Sequence, residues 1–142
     1  MAQLRISEKV PFTAAQMYDL VADVEKYPQF LPWCVGSRVF DRKEDGFTAE
    51  MTVAFKGMRE TFQTVDKIVP GSRIDISLRS GPFKYLTSTW AFKPDSKGSR
   101  VEFFIRFKFQ SRLKEMVLGP VFTVISKQML DAFRKRAHVI YK

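Results

Sequence analysis

Apolar residues fall at every second position over much of the stretch from Val35 to Gln110, and beyond Ser111 the interval lengthens to three and four. A chain that changes period in this way builds a sheet first and a helix second, and the helix has to cover the sheet. FTAEMTVAF puts Phe47, Ala49, Met51, Val53 and Phe55 on one face, and VEFFIRFKF aligns Val101, Phe103, Ile105, Phe107 and Phe109. The other faces carry Glu50, Thr52, Arg106 and Lys108, with Phe104 the exception, so the sheet has one dry side and one wet side. DRKEDG, FKG, VPGS, SGP and PDSKGS read as turns between the runs, which predicts a meander of about six antiparallel strands.

Ahead of the meander, LRISEKV alternates Leu4, Ile6 and Val10 against Arg5, Ser7 and Lys9, as a half-buried strand does, until Pro11 ends it. Thr13 then caps a helix in which Met17, Leu20, Val21 and Val24 recur, and Pro28 limits the next residues to a short turn. At the other end Leu113, Met116, Val117, Val121, Val124, Ile125, Met129, Ala132, Phe133, Ala137 and Ile140 mark one stripe of a long terminal helix, with Gly119 and Pro120 expected to break or kink it near its start. The architecture is α+β. A strongly curved sheet around one helix leaves room for an internal space, and a fully packed core fits the same periodicities.

At 142 residues the chain makes one domain, 1–142, that buries roughly 70% of its unfolded surface without a covalent staple. Cys34 is the only cysteine, which excludes an intrachain disulfide and predicts a reducing, cytoplasmic setting and a buried, inert thiol. MAQLRISEKV lacks the charged and apolar blocks of an export signal, and no stretch approaches the roughly 18 apolar residues of a membrane span.

The chemistry open to the chain is narrow. One histidine, His138, rules out a two-histidine metal site, its place at a basic helix end argues against a Ser-His-Asp triad, and no metal is expected. The seven glycines form neither GxGxxG nor GxxxxGK[ST], which argues against a nucleotide-dependent enzyme. Glu50, Glu60, Asp66, Asp75 and Glu102 lie in strands, mostly on faces that read as solvated. A formal charge of +9, with Lys127, Arg134, Lys135, Arg136 and Lys142 gathered at the end, points to an acidic partner, either anionic lipid or nucleic acid. The basic and aromatic RNA-binding signature [KR]G[FY][GA]FVx[FY] is absent.

DVEKYPQFLPWC at residues 23–34, GPFKYL at 81–86, the following Trp90 and VEFFIRFKF together resemble the coenzyme Q-binding Coq10 family of START-like, polyketide-cyclase-type domains, a family that also contains the ribosome-associated toxin RatA. The resemblance covers essentially the whole chain. It implies a helix-grip fold, in which a curved seven-stranded antiparallel sheet wraps the long C-terminal helix around a hydrophobic tunnel, and no catalytic residues. Phe30, Leu31, Pro32 and Trp33 would then lie at the tunnel's mouth, with prolines fixing the segment's shape, and Phe83 of the GPFK turn would fold back to the cavity. The expected wall is Met51, Val53, Phe55, Ile76, Leu78 and Leu86, then Trp90, Phe103, Ile105 and Phe107, and from the helix Val117, Val121, Val124 and Ile125. The implied function is non-catalytic binding of ubiquinone or another polyprenyl lipid in support of quinone biosynthesis or respiration, with no other cofactor, at the cytoplasmic face of the inner membrane and in transient contact with anionic lipid. The alternative it implies is a ribosome-associated protein that binds the large subunit and inhibits translation.

Overall fold

The computed structural model describes residues 2–141. Seven antiparallel strands form one sheet: β1 (Ala2–Val10), β2 (Cys34–Lys43), β3 (Gly46–Phe55), β4 (Met58–Val69), β5 (Arg73–Ser80), β6 (Phe83–Asp95) and β7 (Gly98–Phe109). Their order, β1-β7-β6-β5-β4-β3-β2, is the expected meander with the first strand added beside the last. Between β1 and β2 the chain makes α1 (Ala14–Ala22) and a 3-10 turn (Val24–Gln29), and after β7 it ends in α2 (Arg112–Ile140). No helix among the described residues is long and apolar enough to cross a membrane.

Local chemistry sets these boundaries. The Thr13 hydroxyl accepts from the Gln16 N–H at 3.1 Å while the Gln16 side chain accepts from the Thr13 N–H at 3.0 Å, a reciprocal cap that starts α1. Ser111 caps α2 in the same sense through the Lys114 N–H at 3.0 Å. Gly81, in the turn before β6, has φ +147°, and a Cβ there would stand 2.5 Å from that of Phe62, so the GPFK turn needs glycine for both backbone and space.

The expected break at Gly119 and Pro120 does not occur, and α2 runs through them as one helix of 29 residues. Pro120 removes the N–H that would have bonded the Met116 carbonyl. Met116 and Pro120 both lie on the exposed side, where an unpaired carbonyl is not desolvated.

On β7 the alternation holds without exception: Val101, Phe103, Ile105, Phe107 and Phe109 are all buried. On α2 it does not. The buried residues are Gly119, Phe122, Ile125, Ser126, Leu130, Phe133 and Ala137. Leu113, Met116, Val117, Val124 and Ile140 of the expected stripe are exposed.

Candidate functional site

Two aromatic clusters stand at opposite ends of the concave face. Phe83 stacks on Phe109 with centroids 4.6 Å apart and meets Phe62 and Phe122 at 5.3 and 5.2 Å. At the other end Trp90 stacks on Phe103 at 4.3 Å, and Phe133 of α2 stands edge-on to Trp90, Tyr27 and Phe30 at 5.3–5.4 Å. Such ring pairs contribute about 0.5–1.5 kcal/mol each beyond the area they bury. Between the clusters, under α2, lies a cavity of about 70 Å³.

The DVEKYPQFLPW segment reaches this cavity by turning Tyr27 and Trp33 inward and its prolines outward. Tyr27 and Trp33 line the space, Leu31 is fully buried beneath them, and Pro28 and Pro32 are exposed. The Tyr27 hydroxyl donates to the Val21 carbonyl, which ties the 3-10 turn to the end of α1. Arg136 holds the segment from α2, donating to the Gln29 side chain at 3.1 Å with its guanidinium 5.1 Å from the Phe30 ring centre. Phe30 and Pro32 line a shallow outer groove on the far side of Trp33.

Among the wall residues expected from the sequence, Trp33, Met51, Val53, Ile76, Leu86, Trp90, Phe103, Ile105 and Ile125 do surround the cavity. Phe83 and Phe107 are buried in the first aromatic cluster instead, and Phe55, Leu78 and Val121 are half-buried outside the lining. Val117 and Val124 require correction: they are 56% and 37% exposed, because the inward stripe of α2 is set by Phe122, Ile125 and Phe133.

Three polar residues interrupt the apolar lining, among them Asp66, which the sequence groups with strand carboxylates on faces that mostly read as solvated. Thr64, Asp66 and Ser88 all face the cavity. Asp66 is 3% exposed and accepts from the Thr64 hydroxyl at 2.6 Å. Burial raises its pKa from 3.8 to about 6, against the opposing pull of that hydrogen bond. Ser88 is 5% exposed, and its hydroxyl has no hydrogen-bond partner. The signal is present in the phase of each strand. Thr64 and Asp66 sit at the same alternation as Phe62 and Ile68, and Ser88 lies between Leu86 and Trp90.

The other titratable candidates named from the sequence lie outside the cavity lining. Cys34 is buried with its thiol pushed up to about 11 by desolvation. His138 is exposed, its ring edge-on to Phe12 at 4.9 Å. The terminal cations are largely engaged: Arg134 pairs with Asp131 and, at 3.7 Å, with Glu8, and Lys135 reaches Asp131 at 3.1 Å. Lys142 lies outside the described residues.

A curved seven-stranded sheet closed over one long helix, with an apolar cavity between them, defines a START-like helix-grip protein. Residues 10–134 match the model of the family described as "Polyketide cyclase / dehydrase and lipid transport", and the chain belongs to that family. It is 39% identical over 142 residues to "Ribosome association toxin RatA" of Vibrio cholerae, covering 99% of both chains. It is 33% identical over 140 residues to "Coenzyme Q-binding protein COQ10 homolog B, mitochondrial" of Xenopus laevis, covering 95% of this chain and 57% of that protein. The crystal structure of the Zhui aromatase/cyclase from Streptomyces sp. R1128 superposes with a TM-score of 0.85 over 96% of this chain and 93% of that one, and at 14% identity it shares the fold alone.

Proposed function

We propose that the protein is a non-catalytic carrier that shelters the head group of an apolar molecule of the polyprenyl-lipid class, ubiquinone among them, and presents it at anionic membranes. The observation that carries this reading is the cavity itself, enclosed between sheet and helix and apolar on nearly every wall. At about 70 Å³ it is far below the roughly 300 Å³ at which ligand pockets begin, so admission of a ring requires the lining to move. Met51 and Met129, both half-buried, are the unbranched side chains suited to doing so. Each CH₂ withdrawn from water contributes about 0.8 kcal/mol, which supplies the drive for opening.

Binding is favoured over catalysis because the lining offers one uncommitted titratable group, too few for paired acid and base roles. Of the described residues lining the cavity, only Tyr27 and Asp66 are titratable, and the Tyr27 hydroxyl is committed to Val21.

The membrane surface is built from the residues that the helix leaves outside. Leu113, Met116 and Val117 are 67%, 70% and 56% exposed on the first turns of α2, and Lys84, Lys108 and Arg112 line one groove with Met116. An apolar stripe beside cations fits the boundary of an anionic bilayer, where each well-placed cation contributes about 1 kcal/mol.

A second reading, association with the large ribosomal subunit, is favoured by the identity to RatA along the whole chain and by the charge of +9, which would act through phosphate contacts. Co-sedimentation with ribosomal particles at low salt supports it, and failure to co-sediment there removes it.

The carrier reading is tested by tryptophan emission, since both tryptophans of the chain, Trp33 and Trp90, line the cavity. A geranyl benzoquinone should quench it saturably, and Ile76→Phe, which fills the space, should weaken binding about tenfold or more. Linear quenching that is identical in the variant would overturn the reading.

A further inference from the structure

Cross-strand register brings two of the cavity's polar groups, Asp66 and Ser88, into one line. Phe47 pairs with Asp66, Asp66 with Ile76, Ile76 with Ser88, and Ser88 with Ile105, so a single row crosses β3 to β7. The row lies midway between the aromatic clusters: the pair Leu86 and Phe107 is on one side of it, and the pair Trp90 and Phe103 is on the other. Within it Asp66 and Ser88 flank Ile76 from strands on either side, which sets their Cα atoms about 9–10 Å apart across two strand spacings. Both side chains line the cavity, and Ile76 forms the apolar floor between them.

The two groups ask for different things. The Ser88 hydroxyl is buried without any partner, a donor that a ligand oxygen would satisfy. Asp66 has one oxygen engaged by Thr64 and the other open, and an ionised carboxylate only accepts. A flat ring laid over Ile76, with oxygens on opposite sides, would meet both.

We infer that the cavity selects a ring that bears a hydroxyl, a phenol or hydroquinone head whose O–H donates to Asp66 and whose opposite oxygen accepts from Ser88, over the same ring without a donor. The selection deepens the carrier reading above and rests on it. It assigns the site a preference for the hydroxylated or reduced form of an apolar cargo, since a quinone carbonyl offers an ionised carboxylate nothing. No other titratable lining group changes charge between pH 5 and 8. Tyr27, from the 3-10 turn, is held neutral by burial, as is Cys34, which lies outside the lining at the start of β2 and close to Tyr27, and the lining side chains of β3, β5, β6, β7 and α2 do not titrate.

Two probes isolate the donor: a geranylated 4-methoxyphenol and its methyl ether, which share the apolar body and both oxygens and differ in one O–H. Calorimetric titration of the intact protein at pH 8 should find the phenol about tenfold or more tighter than the ether. At pH 5, where Asp66 is mostly protonated and can itself donate to an ether oxygen, the ratio should shrink. Asp66→Asn, which keeps the shape and supplies a donor, should bring the ratio at pH 8 to within about threefold, whereas Ser88→Ala should weaken both probes alike. Equal affinity of the two probes for the wild-type protein at pH 8, or a ratio that survives Asp66→Asn, would overturn the inference while leaving the carrier reading in place. If neither probe nor geranyl benzoquinone binds, the carrier reading itself fails and the inference with it.

Discussion

On its inner face α2 buries Phe122, Ile125, Leu130, Phe133 and Ala137 against the sheet, while on its outer face Leu113, Met116, Val117 and Val124 stand in solvent. The two stripes are made of similar side chains. They differ in their partner, because apolar area stabilises a fold only where folding removes it from water. The inner stripe therefore belongs to stability and the outer one to whatever the protein meets. Under the proposed carrier function, the groove beside Met116, where Lys84, Lys108 and Arg112 outnumber Glu115, would turn the outer stripe toward an anionic surface.

The largest effect expected from breaking this division is on the inner side. Phe133 joins α2 to Trp90, Tyr27 and Phe30, and Phe133→Ala should cost about 3–5 kcal/mol in urea denaturation. An unchanged midpoint would mean that the helix is not anchored through this ring.

The cavity beneath the inner stripe gives an effect of opposite sign. Folding raises the Asp66 pKa from 3.8 to about 6, so its contribution to stability is fully present below the unfolded value and is lost as pH rises through about 6. The difference is on the order of 3 kcal/mol. Asp66→Asn should thus be more stable than the wild type at pH 7 and should lose the slope of stability between about pH 4 and 6, measured by denaturation across that range. A wild-type profile already flat there would show that Asp66 is solvated.

The smallest effect on stability, and the sharpest on function, belongs to the outer stripe. Leu113→Ser, Met116→Ser and Val117→Ser combined should shift stability by about 0.5 kcal/mol or less per site, yet abolish most co-sedimentation with anionic vesicles. In the wild-type protein, added salt should weaken vesicle binding and leave a bound lipid in place. Salt-independent vesicle binding would contradict this division between surface and cavity.

Strand and helix also differ in how much of their burial is legible in the sequence. On β7 the apolar phase from Val101 to Phe109 selects one face almost cleanly, and the strand buries that face. On α2 apolar residues populate two stripes, and a period near 3.6 finds them without saying which one meets the sheet. Spacing accordingly assigns Val117 and Val124 to the cavity and passes over Phe122, which belongs to it. The DVEKYPQFLPW segment is legible through the family resemblance, and the structure sets Trp33 of its expected mouth against the cavity while Phe30 and Pro32 line the outer groove. Asp66 and Ser88 are hidden for another reason: side-chain chemistry places them outside, and only the phase shared with Phe62, Ile68, Leu86 and Trp90 places them inside. At a binding site the phase of a strand carries more information than the polarity of one residue in it.

The most direct test of the carrier account is to purify the protein without detergent from a quinone-producing host, record its native mass, and identify by mass spectrometry the molecules that organic solvent releases from it. The account predicts a near-stoichiometric polyprenyl lipid with an oxygenated ring. An empty protein that also refuses added geranyl benzoquinone and the geranylated phenol would contradict it, and would leave the interior as packed core and the ribosome as the partner to pursue.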